Sequence, residues 1–417
     1  MSYKGTIWLI NKDAAPIEEY GTHLRTVKQA QFFQLKDYSV KIFCSARVHN
    51  TGINHVQKGD FSEEMRDNVP FCFIRSVNYG NSGIKRVVAY LLFAFKVYNL
   101  RKRFAQPDII IHTSRIPFDF PIYLLSKKCK SKYVLDITDL WPMEFSHFGF
   151  LKEKGFILSS FYKVEKYLYS RADHCVFSME GCYEYIREKH WDIESGGTID
   201  LSKVHYINNG ISISEYHNNL ERYKLNDPDI LDDSKIKFTY IGAIRKANNL
   251  SLLIDAAKEL QRNKNIYFLI YGDGDDREIL KEKCEREKIT NVLFKEKWLE
   301  PQYLPFILSH SSVNLLNYAK GWAPYGGSMN KMFLALASGK PILCNAGMNY
   351  SPIRKYGLGI DEYFDNPSNY AKAITEMANY SETVLETIRN KAQEVSKEYD
   401  TDFLNKKFSE FCGIEIH

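Results

Sequence analysis

Short strand-like runs alternate with helix-length segments along this 417-residue chain. The runs are apolar and mostly rich in β-branched or aromatic residues, and in the first half they cover residues 6–11, 40–44, 71–75, 108–112, 133–137, 175–178 and 204–207. Helix-length segments separate several of them, at residues 22–35, 84–104, 118–128 and 155–171. This alternation predicts a parallel sheet covered by helices, the α/β fold class.

A polar stretch at residues 208–235 interrupts the pattern, which then restarts. The second series of strand-like runs covers residues 237–241, 266–271, 292–295, 313–317 and 341–344. Because 417 residues exceed one ordinary core, we predict two Rossmann-like, doubly wound domains, residues 1–212 and 213–397, that face a central cleft. A last helix near residues 398–417 is expected to pack back on the first domain. Ligands of such sheets bind at loops that follow strands, so these loops hold the candidate site residues.

Composition and charge narrow the class of protein. The eight cysteines are scattered, without a Cys-x-x-Cys pair, which predicts reduced thiols in a cytoplasmic protein and no disulfide or zinc framework. No apolar run approaches the length of a membrane span.

Residues 1–104 carry 16 Lys and Arg against 8 Asp and Glu. A basic first domain suits nucleic acid, anionic lipid or a phosphorylated substrate, and ordinary surface charge is the alternative.

The strongest phosphate-binding pattern is YGGSMNKMFLALASGKPIL at residues 325–343. Small residues ahead of a helix leave backbone N–H groups open at the positive end of the helix dipole. Gly327, Ser328 and Asn330 form this loop, and Lys331 adds a cation in the first helical turn. The pattern predicts a diphosphate site, and the alternative is that the glycines only close the loop. No Asp or Glu occurs between residues 313 and 343.

Two loops after other strands of the second domain have a related composition. Gly242 is followed by Arg245 and Lys246, and an Arg that bonds in bidentate fashion beside a Lys suits a pyrophosphate. A plain surface charge pair is the alternative. Gly272 and Gly274 follow the next strand, but the third glycine of the dinucleotide fingerprint is missing. This argues against a dehydrogenase.

Two loops of the first domain carry further candidates. Gly21 and Thr22 open the helix after the first strand, where they either allow a ligand close to the backbone or form a helix N-cap. Asp139 follows the run at 133–137 and can bond a hydroxyl, act as a base, or simply cap a turn. Pro142 disfavours helical geometry at Trp141, so we predict an open turn there.

Lys297 and Trp298 follow the run at 292–295. Backbone groups or the indole there can meet a flat nucleobase, and the alternative for Trp298 is simple packing. In the first domain, residues 84–104 predict a long helix with an apolar centre and basic ends, which can dock on an anionic membrane surface. Because the centre is apolar nearly all round, we expect burial in the first domain, with the basic residues 101–103 solvated.

Taken in order, these motifs resemble the family 4 glycosyltransferases, retaining enzymes of the GT-B fold. The likeness is greatest to bacterial O-antigen and exopolysaccharide sugar transferases with an Asp-Leu-Trp-Pro element. It covers nearly the whole chain and rests on the order and spacing of motifs. The motifs include Gly21-Thr-His-Leu-Arg25, Asp139-Leu-Trp-Pro142, Glu165-Lys-Tyr-Leu-Tyr-Ser-Arg-Ala-Asp173, Asn209-Gly-Ile, Ser328-x-Asn-Lys331 and Ser338-Gly-Lys-Pro341.

The resemblance implies a retaining, metal-independent transfer of a hexosyl or N-acetylhexosaminyl group from a nucleotide-diphosphate sugar, with UDP as the favoured nucleotide and no cofactor. Arg245, Lys246 and the backbone at 328–331 would hold the diphosphate, and residues 295–298 would border the base. Gly21 and Thr22 would approach the diphosphate and sugar, and Asp139 would lie near the reacting sugar.

For the acceptor, the resemblance implies a glycan or a polyprenyl-diphosphate-linked sugar, held by the first domain, in the synthesis of O-antigen, capsule or another surface polysaccharide. The protein would be cytoplasmic, with peripheral contact to the inner face of the cell membrane. No nucleic-acid partner is implied.

The chain departs from the family pattern at the donor loop. Related enzymes usually carry two acidic residues eight apart, and the equivalent positions here are Gly326 and Leu334. Because a Leu cannot accept a hydrogen bond from a ribose, a non-catalytic relative that acts as a scaffold for another transferase is the alternative function. A nucleotide-sugar epimerase of the same fold would need a cluster of acids and His, and the second-half loops supply few.

Overall fold

The computed structural model describes residues 3–19, 24–48, 52–77, 83–147, 149–319 and 324–416. The chain divides into two compact units, one formed by Met1–Asn208 with Leu404–His417 and the other by Asn209–Phe403. Each unit contains one mainly parallel sheet with helices between its strands. The predicted α/β class with two doubly wound domains is confirmed. The sequence prediction put the division at 212/213, and the structure puts it at Asn208 and Asn209.

The first unit is built, in its described residues, on an eight-stranded sheet of order β3-β4-β2-β1-β5-β6-β7-β8. Its strands are β1 (Thr6–Ile10), β2 (Ser39–Ser45), β3 (Phe61–Arg66), β4 (Val69–Ile74), β5 (Ile109–Thr113), β6 (Lys132–Ile137), β7 (His174–Phe177) and β8 (Val204–Tyr206). The seven predicted runs all form strands. The sequence did not predict β3, the only antiparallel strand described in this sheet. Its sequence FSEEMR lacks an apolar run because it lies at the edge of the sheet.

Helices of the first unit follow most of these strands. They are α1 (Leu24–Leu35), α2 (Gly83–Leu100), α3 (Phe120–Cys129), α4 (Trp141–His147), α5 (Phe156–Arg171) and α6 (Cys182–Glu188), with single 3-10 turns at Ile17–Glu19, Ile193–Ser195 and Leu201–Lys203. None of the helices in the described ranges of the chain is long and apolar enough to cross a membrane.

One expectation about these helices is wrong. Trp141 and Pro142 do not form an open turn, because α4 begins at Trp141. Proline is tolerated in the first turn of a helix, where its missing N–H has no intrahelical partner to lose.

The expectation that α2 is buried in the first domain holds for one side of the helix. Tyr90 and Phe93 are buried, whereas Leu91 and Phe95 on the other side are exposed.

The second unit is built, in its described residues, on a six-stranded parallel sheet of order β11-β10-β9-β12-β13-β14. Its strands are β9 (Ile236–Ile241), β10 (Ile266–Tyr271), β11 (Val292–Phe294), β12 (Val313–Leu316), β13 (Ile342–Cys344) and β14 (Gly359–Asp361). The five predicted runs all form strands, and the three-residue edge strand β14 was not predicted.

The remaining helices belong mostly to the second unit. They are α7 (Ile213–Arg222), α8 (Pro228–Leu231), α9 (Leu250–Leu260), α10 (Arg277–Arg286), α11 (Leu304–His310), α12 (Asn330–Ala337), α13 (Pro352–Tyr356), α14 (Pro367–Ala378), α15 (Glu382–Ser396) and α16 (Thr401–Phe411), with 3-10 turns at Lys246–Asn248, Pro301–Tyr303 and Lys397–Tyr399. The last part of α16 belongs to the first unit, where Leu404 and Phe408 join the same apolar core as Phe33 of α1.

Candidate functional site

In the second unit, the candidate site lies where the loops after β9 and β12 meet. These strands are neighbours in the sheet, and the strand order runs outward from them in both directions. The two loops touch, because the backbone N–H of Ala319 donates to the carbonyl of Ala247 (2.8 Å) and Nδ2 of Asn248 donates to the carbonyl of Asn317 (3.3 Å). Parallel α/β sheets bind ligands in the crevice at such a switch point.

Lys331 brings a cation to this crevice. Gly242 has a φ of +146°, and a Cβ at this position would overlap the Lys331 ammonium group. Nζ of Lys331 donates to the Tyr240 hydroxyl (3.3 Å), and no acidic side chain of the described residues pairs with it. Burial lowers the pKa of Lys331 to about 8. Because a partly buried cation without a counter-ion is unfavourable, an anionic ligand would be stabilised here.

The start of α12 adds backbone donors beside Lys331. Its N-cap residue, Met329, makes no side-chain cap hydrogen bond, and the first N–H groups of a helix point outward at its positive end. Ser328, just before the helix, is held in position by Asn209, whose backbone N–H donates to Oγ of Ser328 (2.6 Å) and whose Nδ2 donates to its carbonyl (2.8 Å). Gly327 lies directly before Ser328, and Asn330 is the first residue of α12. The predicted residues of this loop therefore lie together at the start of the helix.

Arg245 and Lys246 lie on the loop after β9, and both side chains are exposed. Within the described ranges neither forms an ion pair, so both remain able to bind an anion. Lys297 differs, because its ammonium group pairs with Glu278 at 3.0 Å on the surface. Trp298 is 56% exposed, which argues against the interpretation that its indole is there for packing.

Gly272 and Gly274 have a packing function in the structure. A Cβ on Gly272 would overlap the carbonyl of Gly242, and a Cβ on Gly274 would overlap the carbonyl of Ile244. The loop after β10 therefore packs directly on the loop after β9. Arg277, which the sequence analysis did not propose as a site residue, donates from its two terminal nitrogens to the carbonyls of Gly272 and Lys295. It therefore fixes the positions of two loops at this edge of the sheet.

Leu334, which stands at an acidic position of the family pattern, is part of the hydrophobic packing of α12. It is partly buried and packs against the cluster that includes Met332 and Phe333. At this position the chain therefore has an apolar packing contact where the family pattern has a carboxylate that accepts hydrogen bonds.

In the first unit, charged side chains gather at the corresponding switch point, after β1, β5 and β6. Arg115 is buried, and its Nε donates to Oδ2 of Asp13 (3.1 Å). A terminal nitrogen of Arg115 lies 3.6 Å from Oδ2 of Asp139. Lys12, also buried, lies 3.4 Å from the other carboxylate oxygen of Asp13. Asp139 is 41% exposed and can therefore meet a ligand hydroxyl.

Aromatic side chains line this first-unit cluster. The hydroxyl of Tyr90 donates to Asp13 (3.3 Å), and the Arg115 guanidinium lies 5.5 Å from the centre of the Trp141 ring. The indole N–H of Trp141 is buried and has no acceptor among the described residues. Tyr90 and Arg115 are buried, so the groups of this cluster that a sugar can reach are the Asp139 carboxylate and the partly exposed Trp141 side chain, an acceptor for hydroxyls beside an aromatic ring.

Glu144 lies one helical turn beyond Trp141, on the same helix α4. Burial and, to a smaller extent, the nearby Asp139 raise its pKa to about 8, although Arg115 and Arg86 act in the opposite direction. At neutral pH the carboxyl group is therefore mostly protonated. A neutral carboxyl near Asp139 can donate a hydrogen bond that an ionised Glu cannot.

Glu144→Gln is expected to stabilise the protein at pH 8 and to have little effect at pH 5. The pKa of Glu144 rises from 4.5 to about 8 on folding, so its contribution to stability is complete below pH 4.5 and is lost as the pH rises to 8. Gln stays neutral throughout this range. Melting temperatures of both proteins between pH 5 and 8 test this, and a difference that does not grow with pH contradicts it.

Two predicted site residues, Gly21 and Thr22, lie outside the described part of the chain, so the two interpretations of this loop stay open. Groups of three or more His, Cys, Asp or Glu that can hold a metal ion are absent from the described residues. The expectation of a metal-independent reaction stays a prediction.

Most residues of the first-unit cluster were not predicted from the sequence. Lys12, Asp13 and Arg115 each lie within three residues of the end of a predicted strand, which was the available signal. Glu144 gave no such signal, because its raised pKa results from the burial that α4 produces.

The second unit is similar in sequence to a known family. The family model for glycosyl transferases group 1 matches residues 224–394, which include every loop of the second-unit site. No curated protein matches the sequence.

Solved structures match nearly the whole chain at low sequence identity. HepE of Anabaena in complex with UDP is 15% identical with a TM-score of 0.67, covering 98% of this chain and 99% of that one. A structure described as trehalose-6-phosphate from E. coli bound with UDP-2-fluoro glucose is 12% identical with a TM-score of 0.73, covering 99% and 100%. WaaG, a glycosyltransferase involved in lipopolysaccharide biosynthesis, is 12% identical with a TM-score of 0.67, covering 97% and 99%. The fold is that of GT-B glycosyltransferases, with two Rossmann-like domains.

Proposed function

We propose that the protein is a glycosyltransferase that moves a sugar from a nucleotide-diphosphate sugar, with UDP as the nucleotide, to a glycan or lipid-linked acceptor. The observation that carries this proposal is Lys331, a partly buried cation without an acidic partner in the described ranges, at the switch point of the second sheet. The family match over residues 224–394 and the UDP bound to the structural neighbour HepE support the same donor class.

In this proposal the second unit stabilises the leaving diphosphate. Lys331 and the N–H groups at the start of α12 supply positive charge where the negative charge develops, with Arg245 and Lys246 at the outer phosphate. Donors held in place by the fold need no reorganisation during the reaction, and this arrangement can replace a metal ion. Retention of the anomeric configuration follows from the resemblance to family 4 enzymes.

The first-unit cluster is the proposed acceptor site. Asp139 accepts a hydrogen bond from an acceptor hydroxyl, and the partly exposed ring of Trp141 borders the acceptor sugar. The likeness to WaaG, which is involved in lipopolysaccharide biosynthesis, supports a function in surface-polysaccharide synthesis. The protein would then act at the inner face of the cell membrane on a polyprenyl-diphosphate-linked acceptor.

Replacing both Arg245 and Lys246 by Ala is expected to abolish the thermal shift that nucleotide sugars cause, while leaving the unliganded melting temperature unchanged. Both side chains are exposed and unpaired within the described ranges, so their removal costs little stability. The matched control replaces Arg262 and Lys264 by Ala. These residues are also exposed, and they precede β10 at the opposite end of the sheet. Equal ligand shifts in all three proteins would place the phosphate elsewhere.

The second candidate function, a non-catalytic scaffold for another transferase, is favoured by Leu334. This apolar side chain is partly buried and packs against the core where related enzymes carry an acid. A thermal-shift panel of UDP, GDP, ADP and their sugars separates the two functions. A transferase should be stabilised by one nucleotide class, and a scaffold by none.

A further inference from the structure

The amino group of Lys331 lies between neutral groups of the second unit. Nζ is 3.3 Å from the hydroxyl oxygen of Tyr240, and that hydroxyl donates its own proton to the carbonyl of Ala243 at 2.7 Å. Burial raises the pKa of Tyr240, so the phenol stays neutral. Nζ also lies against the backbone of Gly242, and no acidic side chain in the described part of the chain pairs with it. The amine is therefore partly buried, and no carboxylate there holds its proton.

This environment makes Lys331 a better nucleophile than an ordinary surface lysine. An amine attacks a carbonyl carbon only in its unprotonated form, and lysines of lowered pKa serve as nucleophiles in proteins. Burial lowers the pKa of Lys331 to about 8, so roughly a tenth of the amine is neutral at pH 7. At the ordinary lysine pKa the neutral fraction is below roughly one in a thousand.

The start of α12 determines which reagent is held beside this amine. Lys331 is the second residue of the helix, so its amine and the first-turn N–H groups belong to the same crevice. These N–H groups and the positive end of the helix dipole attract a phosphate. In an acyl phosphate the carbonyl carbon is one oxygen atom away from the phosphorus. An acyl phosphate bound at this helix end therefore has its carbonyl carbon close to the amine, and such proximity accelerates a reaction strongly.

We propose that Lys331 is a modification site, acylated directly by acyl phosphates that bind at the start of α12. The lysine nitrogen forms a bond to the acyl carbon, and the bond from that carbon to the phosphate oxygen breaks. The phosphate leaves with the electron pair of that bond and takes up the proton that the nitrogen loses. The product is an uncharged amide, which no longer attracts a diphosphate.

The proposal rests on the proposed function, because one phosphate site serves both the acyl phosphate and the sugar donor. It adds a means of regulation to that function. Acylation of Lys331 removes the cation that holds the donor diphosphate, so donor binding is switched off where acyl phosphates accumulate.

Lys340 is the matched comparison within the same protein. It lies just beyond Ala337, the last residue of α12, and is also partly buried. Burial and the nearby Arg389 lower its pKa, and it forms no ion pair among the residues that the structure describes. The helix dipole is negative at this end, so a phosphate is repelled there. Acyl phosphates should therefore favour Lys331 over Lys340 by more than a neutral acylating reagent does.

The test maps acetylated lysines by peptide mass spectrometry after the full chain reacts with acetyl phosphate or with acetic anhydride, which has no phosphate. The ratio of Lys331 to Lys340 acetylation should be at least about tenfold higher with acetyl phosphate than with the anhydride. Excess inorganic phosphate should slow the reaction of Lys331 with acetyl phosphate and leave its reaction with the anhydride unchanged. Equal ratios for the two reagents would overturn the proposal.

The effect on donor binding is measured separately, by isothermal titration with UDP. Lys331→Gln carries the uncharged amide that acetylation produces and should bind UDP about 100-fold more weakly than the wild type. Lys340→Gln should bind UDP as the wild type does. UDP binding by Lys331→Gln at the wild-type affinity would overturn the regulatory effect.

The two measurements separate this inference from the proposed function. If the wild type binds UDP but the two reagents give equal ratios, the inference fails and the proposed function stands. If the wild type binds no UDP while acetyl phosphate still selects Lys331, the modification site stands and the proposed donor class fails.

Discussion

Replacing Lys331 by Met is expected to weaken UDP binding by about 100-fold, the effect of losing a charge-assisted hydrogen bond to phosphate in a partly buried site. Met keeps the length and the apolar stem of the side chain, so Gly242 retains a neighbour of similar shape. Isothermal titration with UDP measures the change. Lys264→Met is the matched control, because Lys264 is exposed at the opposite end of the second sheet.

The same substitution should leave the unliganded protein as stable as the wild type, or more stable. Burial lowers the pKa of Lys331 from 10.5 to about 8, so at pH 7 the ammonium form still predominates but is less favourable in the folded state than in the unfolded chain. A bound diphosphate offsets this cost, since its negative charge raises the lysine pKa. UDP affinity should therefore fall as the pH rises through about 8. A variant that unfolds at lower temperature yet still binds UDP would mean that Lys331 is a structural residue.

Replacing Arg25 by Met is expected to destabilise the protein by about 3–5 kcal/mol, because it leaves a buried carboxylate without its partner. Arg25 forms two hydrogen bonds with Asp136, Nε to Oδ2 at 3.1 Å and a terminal nitrogen to Oδ1 at 2.8 Å. Its other terminal nitrogen donates to the carbonyls of Ile207 and Asn208, both at 2.8 Å. Asp136 is 1% exposed. The side chain thus joins α1 to β6 and to the end of the first unit's main segment.

Melting temperatures of the full chain measure this effect, and a decrease of about 10 °C is expected for a unit of this size. The double variant Arg25→Met, Asp136→Asn should recover part of the loss, since Asn carries no buried charge. Arg103→Met, at an exposed position, should melt within about 2 °C of the wild type. A small effect of Arg25→Met would show that water or another group compensates Asp136.

Sequence periodicity predicted the sheets well because both are buried between helices. Runs such as residues 109–113 and 266–271 form central parallel strands, which are apolar on both faces and stand out in any sequence window. The strands that were missed, β3 and β14, lie at sheet edges, where one side of the strand has no neighbour and apolar residues are not required. The local rule for Pro142 failed for a different reason, since proline starts a helix as readily as it ends one.

The sequence predicted the kind of ligand that the candidate site binds, but not which residues lie together in the site. The loop 325–331 indicated phosphate binding from its small residues and its lysine, but the contact between Lys331 and Gly242 joins positions 89 residues apart. Likewise, no local pattern relates Asp13 to Arg115, which meet because β1 and β5 are neighbours in the sheet. The raised pKa of Glu144 also depends on tertiary burial. Patterns within a single sequence do not show which distant residues meet in the fold or which side chains become buried.

The central claim, that Lys331 and the start of α12 hold the diphosphate of a nucleotide sugar, is tested most directly by titrating uridine, UMP and UDP into the wild type and into Lys331→Met. In the wild type, UDP should bind at least about tenfold more tightly than UMP, as one further charged contact predicts. In Lys331→Met that gain should fall to about twofold or less. An equal gain in both proteins, or no binding of any of the three to the wild type, would contradict the account.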